Sequence, residues 1–250
     1  MNISIKKKTI DLKAQLKKIN SFSDKVKFLK NSFDGEDCFI LLTGPSFNDY
    51  SKEELKDKLK DKLVLSVKQT YLGLEDICDF HFWNCSNLPK TLNNIPYQYS
   101  DSTIAIASSN YPVGFRWNPK QYLDFFIKIP IIEQFGKENC LVFKKDFEEH
   151  TLDNVWNRTI GPGIMLETVL YFAVHLGVKS INTLGWDLDA HNSHCYSDSV
   201  ANKGCQIPWD MKANLEAVPY VKEWLQNRSI ELNTLSKTGP MKNILPLKEI

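Results

Sequence analysis

The hydrophobic residues of this chain fall into short continuous runs, separated by polar or helically patterned segments. Apolar runs of strand length without polar alternation are typical of strands buried on both faces, as in parallel sheets. We predict such strands at 38–42, 63–67, 77–83, 103–107, 180–184 and 230–234. Because helical patterns lie between them, the predicted fold class is α/β, with a single doubly wound, mostly parallel, Rossmann-like sheet.

Helical spacing of apolar residues predicts a pair of helices before the first strand, between residues 10 and 31. Ser21 or Ser23 is placed to cap the second of these helices. Residues 51–62 predict an exposed crossover helix, because Ser51 precedes an acidic first turn and lysines follow towards the end.

The segment 158–189 predicts a tight turn, a buried helix and a strand that together form the centre of the fold. Gly161, Pro162 and Gly163 leave no bulk at the start of the helix, where backbone N–H groups and the helix dipole favour an anion. Residues 164–176 are apolar on almost every side, which predicts a helix covered on most of its surface. Gly177 is placed to end this helix as a C′ glycine.

The length of 250 residues fits one domain, and we divide it into a basic helical N-terminal extension at 1–35 and a catalytic α/β domain at 36–250. Residues 88–150 are interpreted as an inserted lid or acceptor-binding region, with a buried core as the alternative. A last helix is predicted at 211–226, where Pro219 indicates a kink or a break. The aromatic residues that would line such a lid, although an aromatic stripe is more often part of a core, are Phe115, Trp117, Tyr122, Phe125 and Phe126.

Charge and cysteine content restrict the partners and the compartment. The formal net charge is +1, so no global field attracts nucleic acid. The first thirty residues are locally basic, which fits either a peripheral contact with an anionic membrane surface or the commoner case of a solvated helical face. No C-x-x-C spacing, signal peptide or transmembrane stretch is present in the sequence. We therefore expect a cytoplasmic protein, with the basic segment as its contact if it is peripheral to the inner membrane.

Polar residues follow several of the predicted strands. In a parallel sheet these positions share one edge, where ligands bind in open α/β folds. They are Thr43, Gly44, Pro45 and Ser46 after the first strand, Lys68 and Gln69 after the second, Asn84 and Ser86 after the third, and Gly185, Trp186 and Asp187 after the strand at 180–184.

The pair Asp187 and Asp189, with His191 and His194 behind it, suits Mn²⁺ or Mg²⁺ bridging a nucleotide diphosphate. The alternative is that Asp187 caps a loop by accepting backbone N–H bonds while Asp189 is solvated. Signatures of P-loop NTPases, Rossmann dehydrogenases, α/β-hydrolases and zinc proteases are absent from the sequence.

The order of these motifs resembles that of the bacterial lipooligosaccharide sialyltransferases of glycosyltransferase family 42. The resemblance implies a sialyltransferase-type domain that binds a CMP-activated sugar across the carboxyl edge of its sheet, without a metal, and inverts the anomeric carbon. Asn84, in the stretch Trp83-Asn84-Cys85-Ser86, matches the family most directly. The donor-binding residues implied are Thr43, Gly44, Pro45, Ser46, Lys68, Gln69, Asn84, Ser86, Arg158, Gly161, Pro162, Gly163, Gly185, Trp186 and Tyr196.

The chain departs from the family pattern at two places. The family holds the leaving phosphate with two tyrosines, but the first falls on or near Asp189, and Tyr196 alone is left as the second. The family's general-base histidine lies shortly before the last helix, where this chain has no histidine. His194 is the nearest candidate base, Asp189 competes with it, and Asp187 is the candidate for orienting its ring.

The function expected is transfer of sialic acid or a related ulosonic acid from a CMP-activated donor to a glycan acceptor, in lipooligosaccharide or surface polysaccharide synthesis. Two other classes stay open. A pyrophosphokinase-like enzyme or an Asp-x-Asp glycosyltransferase would need Mg²⁺ or Mn²⁺ at Asp187 and Asp189. A non-catalytic nucleotide- or glycan-binding module would need no general base.

Overall fold

Seven parallel strands form one sheet in the part of the chain that the structure describes. This computed structural model describes residues 4–84, 97–109, 124–128, 147–148, 151–152, 164–188 and 208–250. The spatial order of the strands is β5-β4-β3-β2-β1-β6-β7. Their bounds are β1 Asp37–Leu41, β2 Leu63–Val67, β3 Phe80–Asn84, β4 Ile104–Ser109, β5 Phe125–Lys128, β6 Ser180–Leu184 and β7 Glu231–Thr234.

The strand order confirms the doubly wound α/β prediction. The chain builds outward from β1 to β5 and then returns to place β6 against the other side of β1. Strand order therefore reverses between β1 and β6, and such a reversal marks the position where open α/β sheets bind ligands.

Each strand predicted from the sequence is present, and β3 begins at Phe80 because residues 74–79 form a turn in which Ile77 and Cys78 donate backbone hydrogen bonds to Leu74. The edge strand β5 was not predicted.

Phe125 and Phe126 lie in β5 and pair with Ile106 and Ala107 of β4, so the backbone of these two residues belongs to the main sheet. A four-residue run is too short to show the periodicity that distinguishes a strand from a loop. Strands β4 and β5 place part of the interval 88–150 in the main sheet. Phe115, Trp117 and Tyr122 lie outside the described residues, and the lid prediction stays open for that part.

The predicted helices are present, and several of their capping residues are confirmed. They are α1 Ile5–Leu16, α2 Phe22–Leu29, α3 Lys52–Leu59, α4 Leu170–His175 and α5 Pro208–Gln226. The Ser21 hydroxyl accepts from the backbone N–H of Asp24 at 3.0 Å, so Ser21 rather than Ser23 caps α2. Ser51 and Glu54 form a reciprocal capping box at α3. Helix α5 runs through Pro219 without a break. No helix among the described residues is both long and apolar enough to cross a membrane.

The segment before α4 differs from the regular helix predicted there. Met165–Val169 forms a π-helical turn, and the α-helical part begins at Leu170. Gly177 ends α4 with φ +83°, as predicted. The last carbonyls of the helix accept from an earlier loop: Asn31 donates to His175 at 2.9 Å and Phe33 to Leu176 at 2.8 Å.

Alternating side chains of the strands build a core on each face of the sheet. Ile40 of β1 faces a core with α1, α2, α4 and α5, while Leu41 faces a second core with α3. Leu16 and Leu29 of the N-terminal helices are fully buried in the first of these cores. The helical pair therefore packs as part of the main core.

Several N-terminal lysines contact the amino ends of the strands. Lys13 is buried, donates to the carbonyl of Thr103 at 2.5 Å, and lies 3.6 Å from the Asp124 carboxylate. Lys6 donates to the carbonyl of Cys78 at 2.9 Å. These two cations therefore hold α1 on the sheet, at the edge opposite to the predicted ligand site.

Candidate functional site

The loops that follow β1, β2 and β6 meet the end of β3 at the carboxyl edge of the sheet, because these four strands are parallel neighbours. We call this region the edge site. It comprises residues 43–46 after β1, 68–71 after β2, Asn84 at the end of β3, and 185–187 after β6.

Asp187 links the loops after β1 and β6. Its carboxylate is 4% exposed and accepts from the Ser46 backbone N–H at 2.6 Å and from the Ser46 hydroxyl. The Ser46 hydroxyl oxygen also lies 2.7 Å from that of Ser236, after β7, and accepts from the Gly185 N–H at 3.2 Å. The geometry of Asp187 is that of a residue capping a loop, the alternative considered from the sequence.

Gly44 and Gly185 are required by the close approach of these two loops. The Gly44 N–H donates to the Gly185 carbonyl at 2.8 Å. A Cβ atom on Gly44 would lie 2.4 Å from that carbonyl oxygen and 2.5 Å from an Asp187 oxygen. Gly185 has φ +79°, and a Cβ there would lie 2.1 Å from the Leu42 carbonyl oxygen. No side chain fits at either position.

The loop after β7 completes the surroundings of Asp187. Asp49 accepts from the backbone N–H groups of Lys237 at 2.7 Å and Thr238 at 3.0 Å. The loop then places Gly239, with φ +75°, where a Cβ would lie 3.1 Å from Asp187. In the sequence, the polar stretch Ser236–Gly239 directly after a predicted strand indicates this loop. No feature of the sequence singles out Asp49 as its partner.

A 3₁₀ turn, Lys68–Tyr71, follows β2 and carries two predicted donor-binding residues. Lys68 has φ +52°, which is uncommon for a residue with a side chain. The Thr70 hydroxyl donates to the Leu41 carbonyl at 2.8 Å, and therefore fixes the turn to β1. The side-chain carbonyl oxygen of Gln69 is buried and has no hydrogen-bond partner within the described residues. Buried polar atoms are nearly always paired with protein, ordered water or a ligand, so this oxygen is open to a hydrogen-bond donor.

His81 supports this turn from β3. Its ring is fully buried, with Nε2 at 2.9 Å from the Lys68 carbonyl oxygen and Nδ1 at 2.7 Å from the Tyr99 hydroxyl. Burial lowers the pKa of His81 to about 3, so the ring is neutral at physiological pH. Sequence reasoning missed this residue because it lies inside an apolar strand, away from the polar strand ends.

The remaining predicted site residues fall into two groups. Asn84 is the last residue of β3 and pairs with Ser108 of β4, which places its backbone at the edge site. Thr43, Pro45 and Trp186 lie in the loops already described. The calls that fall outside the described residues are Ser86, Arg158, Gly161, Pro162, Gly163, Asp189, His194 and Tyr196.

The described residues contain no group of three or more His, Cys, Asp or Glu side chains able to hold a metal ion. The predicted metal partner of Asp187, Asp189, lies outside them, so the Mn²⁺ or Mg²⁺ alternative stays a prediction. The π-helical turn at Met165–Val169 directly follows the predicted anion site at 161–163, and such turns are frequent at functional sites. Its Thr168 hydroxyl is buried and has no partner within the described part of the chain.

Profiles of known protein families do not match this sequence, and neither do the curated proteins. In three dimensions the chain is similar to the sialyltransferase CstII from Campylobacter jejuni in complex with cytidine 5′-monophosphate, at 16% identity and a TM-score of 0.49 over 86% of each chain. A CstII variant in complex with CMP gives 17% identity and a TM-score of 0.47 over the same shares. The MAf glycosyltransferase from Magnetospirillum magneticum AMB-1 gives 12% identity and a TM-score of 0.45, over 98% of this chain and 39% of that one.

Proposed function

We propose that this chain is a glycosyltransferase that moves sialic acid or a related ulosonic acid from a CMP-activated donor to a glycan acceptor. The observation that carries the proposal is the unpartnered Gln69 side-chain oxygen at the edge site. A buried carbonyl oxygen needs an N–H or O–H donor, and the amino group of cytosine and the ribose hydroxyls supply such donors.

The donor is bound without a metal in this proposal. Asp187 is the described member of the Asp-x-Asp pair that could bind a metal. Its oxygens, however, accept hydrogen bonds from the backbone N–H and the hydroxyl of Ser46. A carboxylate used in this way supports the geometry of the loop and leaves little capacity for a cation. Asp187 is therefore assigned a positioning role, orienting the loops after β1 and β6.

The proposed reaction inverts the anomeric carbon. An acceptor hydroxyl loses its proton to His194 while its oxygen forms a bond to the anomeric carbon, and the bond from that carbon to the phosphate oxygen breaks to release CMP. Tyr196, Arg158 and the turn at 161–163 are proposed to hold the leaving nucleotide. The proposed acceptor is a lipooligosaccharide or surface glycan reached from the cytoplasmic face of the membrane.

Calorimetry tests the proposal, with CMP, UDP and GDP each titrated into the protein once in the presence of EDTA and once in the presence of Mn²⁺. We expect CMP to bind in EDTA, and CMP release from a CMP-activated sialic acid to follow when a glycan acceptor is added. Absence of CMP binding together with EDTA-sensitive binding of UDP or GDP would assign the chain to the metal-dependent alternatives. Nucleotide binding without turnover of any donor would favour the non-catalytic module.

A matched pair of variants tests the residue that carries the proposal. Gln69→Leu removes the unpartnered oxygen at similar volume and should weaken CMP binding by about 0.5–1.5 kcal/mol, the value of one neutral hydrogen bond. The same change at the exposed Gln15 of α1, Gln15→Leu, should leave the affinity unchanged.

A further inference from the structure

His81 contacts the 3₁₀ turn of the edge site at both ends. Its Nε2 lies 2.9 Å from the carbonyl oxygen of Lys68, the first residue of the turn. The ring of Tyr71, the last residue of the turn, stacks on the imidazole with 4.6 Å between the ring centroids and 29° between the planes. One buried side chain therefore contacts both ends of the turn.

The hydrogen bonds of His81 fix which of its ring nitrogens carries the proton. The Lys68 carbonyl can only accept, so Nε2 must be the protonated nitrogen. In the neutral ring Nδ1 is then an acceptor, and the Tyr99 hydroxyl, 2.7 Å away, donates to it. The result is a directed chain of hydrogen bonds from Tyr99 through His81 to the backbone of the turn.

The turn needs such a partner because its backbone is strained. Lys68 has φ +52°, a left-handed backbone conformation that is unfavourable for a residue with a side chain. Strain of this kind persists where the surroundings hold it, and it is commonly found at ligand sites. Here the surroundings are the bond from His81 on one side and the bond from Thr70 to the Leu41 carbonyl on the other.

We propose that His81 is a positioning residue that holds the Lys68–Tyr71 turn in its ligand-binding shape through the Lys68 carbonyl, so that the Gln69 side-chain oxygen is presented to the nucleotide. The part that concerns the nucleotide rests on the function proposed above. The alternative is a core histidine that only fills space between Tyr71 and Tyr99.

Two substitutions separate these roles, because glutamine and asparagine reproduce different nitrogens of the imidazole. His81→Gln places an amide N–H near the position of Nε2 and keeps the bond to Lys68. His81→Asn has its amide near Nδ1 and loses that bond. Phe82→Leu is the matched control, since Phe82 is the next residue of β3, is equally buried, and faces the opposite core.

Hydrogen exchange of the backbone amides of residues 69–74, compared with those of β6, is the first measurement. His81→Asn should raise exchange in the turn about tenfold or more relative to β6, while His81→Gln and Phe82→Leu should not. Tyr99→Phe keeps the imidazole but removes the hydroxyl that fixes its proton, and it should give an increase smaller than that of His81→Asn. If His81→Asn fails to fold, the comparison of Tyr99→Phe with Phe82→Leu decides.

The second measurement is CMP affinity by calorimetry. His81→Asn should weaken CMP binding about tenfold, the equivalent of roughly one hydrogen bond, with His81→Gln restoring most of it. If the wild-type protein binds no CMP, the proposed function fails, and hydrogen exchange still decides the role of His81. Equal exchange in the turn of His81→Asn and Phe82→Leu would show a core histidine and overturn the inference.

Discussion

The polar side chains of the edge site differ in how much capacity they leave for a ligand. Asp187 already accepts two hydrogen bonds from Ser46, whereas the Gln69 oxygen accepts none from the described residues. Asp187, which looked most like a catalytic carboxylate in the sequence, is thus hydrogen-bonded to its neighbours. The side-chain amide of Gln69, in the turn after β2, offers a buried acceptor instead.

Asn84 is the donor-binding residue that the sequence resemblance supports most directly, and it ends β3 at the edge site. Its amide can donate to a phosphate or carboxylate of the donor. Asn84→Ala should weaken donor binding by about 1–3 kcal/mol if a bond to a charged group is lost. Calorimetry on a folded variant is the check, and unchanged affinity would remove Asn84 from the site.

The general base is the second prediction at this scale. His194 is expected to take the proton of the acceptor hydroxyl, and a positioned base typically contributes about 10²–10⁴-fold to turnover. His194→Ala should therefore lower kcat by a factor in that range while donor affinity is kept. Asp189→Asn is the matched comparison. Nearly full turnover in His194→Ala, with loss of turnover in Asp189→Asn, would give the role to the carboxylate.

Among the connections between elements, two glycines are required for different reasons, one in the contact between the loops after β1 and β6 and one before β1. Gly44 has an ordinary backbone conformation, φ −69°, but no room for a side chain. Gly35 has φ +75° but nothing within 4 Å of a Cβ placed on it. The two positions therefore separate a steric requirement from a conformational one.

Gly44→Ala should destabilise the protein by about 3 kcal/mol or more, because the added methyl group meets backbone that cannot move away easily. Gly35→Ala should cost about 1–2 kcal/mol for its left-handed backbone alone, and should leave CMP affinity unchanged. Urea denaturation gives both values. An equal, small cost for the two variants would mean that the loops after β1 and β6 are not in the close contact described here.

At the scale of the whole molecule, the carboxyl and amino edges of the sheet differ in what they contact. The carboxyl edge carries the candidate site, and the amino edge attaches the N-terminal helices. Asp79 lies at the amino edge and is 1% exposed. It accepts from the Thr9 hydroxyl at 2.9 Å and the Val64 N–H at 3.0 Å, with Lys6 at 3.9 Å. Burial raises the pKa of Asp79 to about 6 despite these partners.

The pKa of Asp79 predicts a pH dependence of stability. Because this value lies above the ordinary 3.8, the folded protein binds a proton more tightly than the unfolded chain. The stability from the protonated carboxyl is complete below about pH 3.8 and is lost as the pH rises through about 6. When the pH falls from 7 to 5, the free energy of unfolding of the wild type should therefore rise relative to that of Asp79→Asn. The total gain, complete only below about pH 3.8, is at most about 3 kcal/mol.

Urea denaturation of both proteins at pH 5, 6 and 7 measures this difference, and contributions from other groups, such as the buried His81, cancel in the comparison. Parallel pH profiles would contradict the assignment.

Much of the fold could be predicted because its signals are local. A continuous apolar run predicts a buried strand wherever it occurs, so each predicted strand is present in the sheet. The capping box at Ser51 and Glu54 and the C′ glycine at Gly177 involve residues only a few positions apart. The packing of the N-terminal helices and the edge strand β5 could not be predicted, because the burial of Leu16 and the pairing of Phe125 with β4 depend on segments that are distant in the sequence.

The sequence alone thus determined the class of the fold and which strand ends carry polar residues, since apolar periodicity and turn chemistry act over short distances. The tertiary structure decided how those residues are used. Asp187 meets Ser46 from 141 positions away, and His81 of β3 reaches the carbonyl of Lys68, which follows the neighbouring strand β2. Hydrogen bonds between distant segments depend on strand order and loop approach, and no local pattern encodes them.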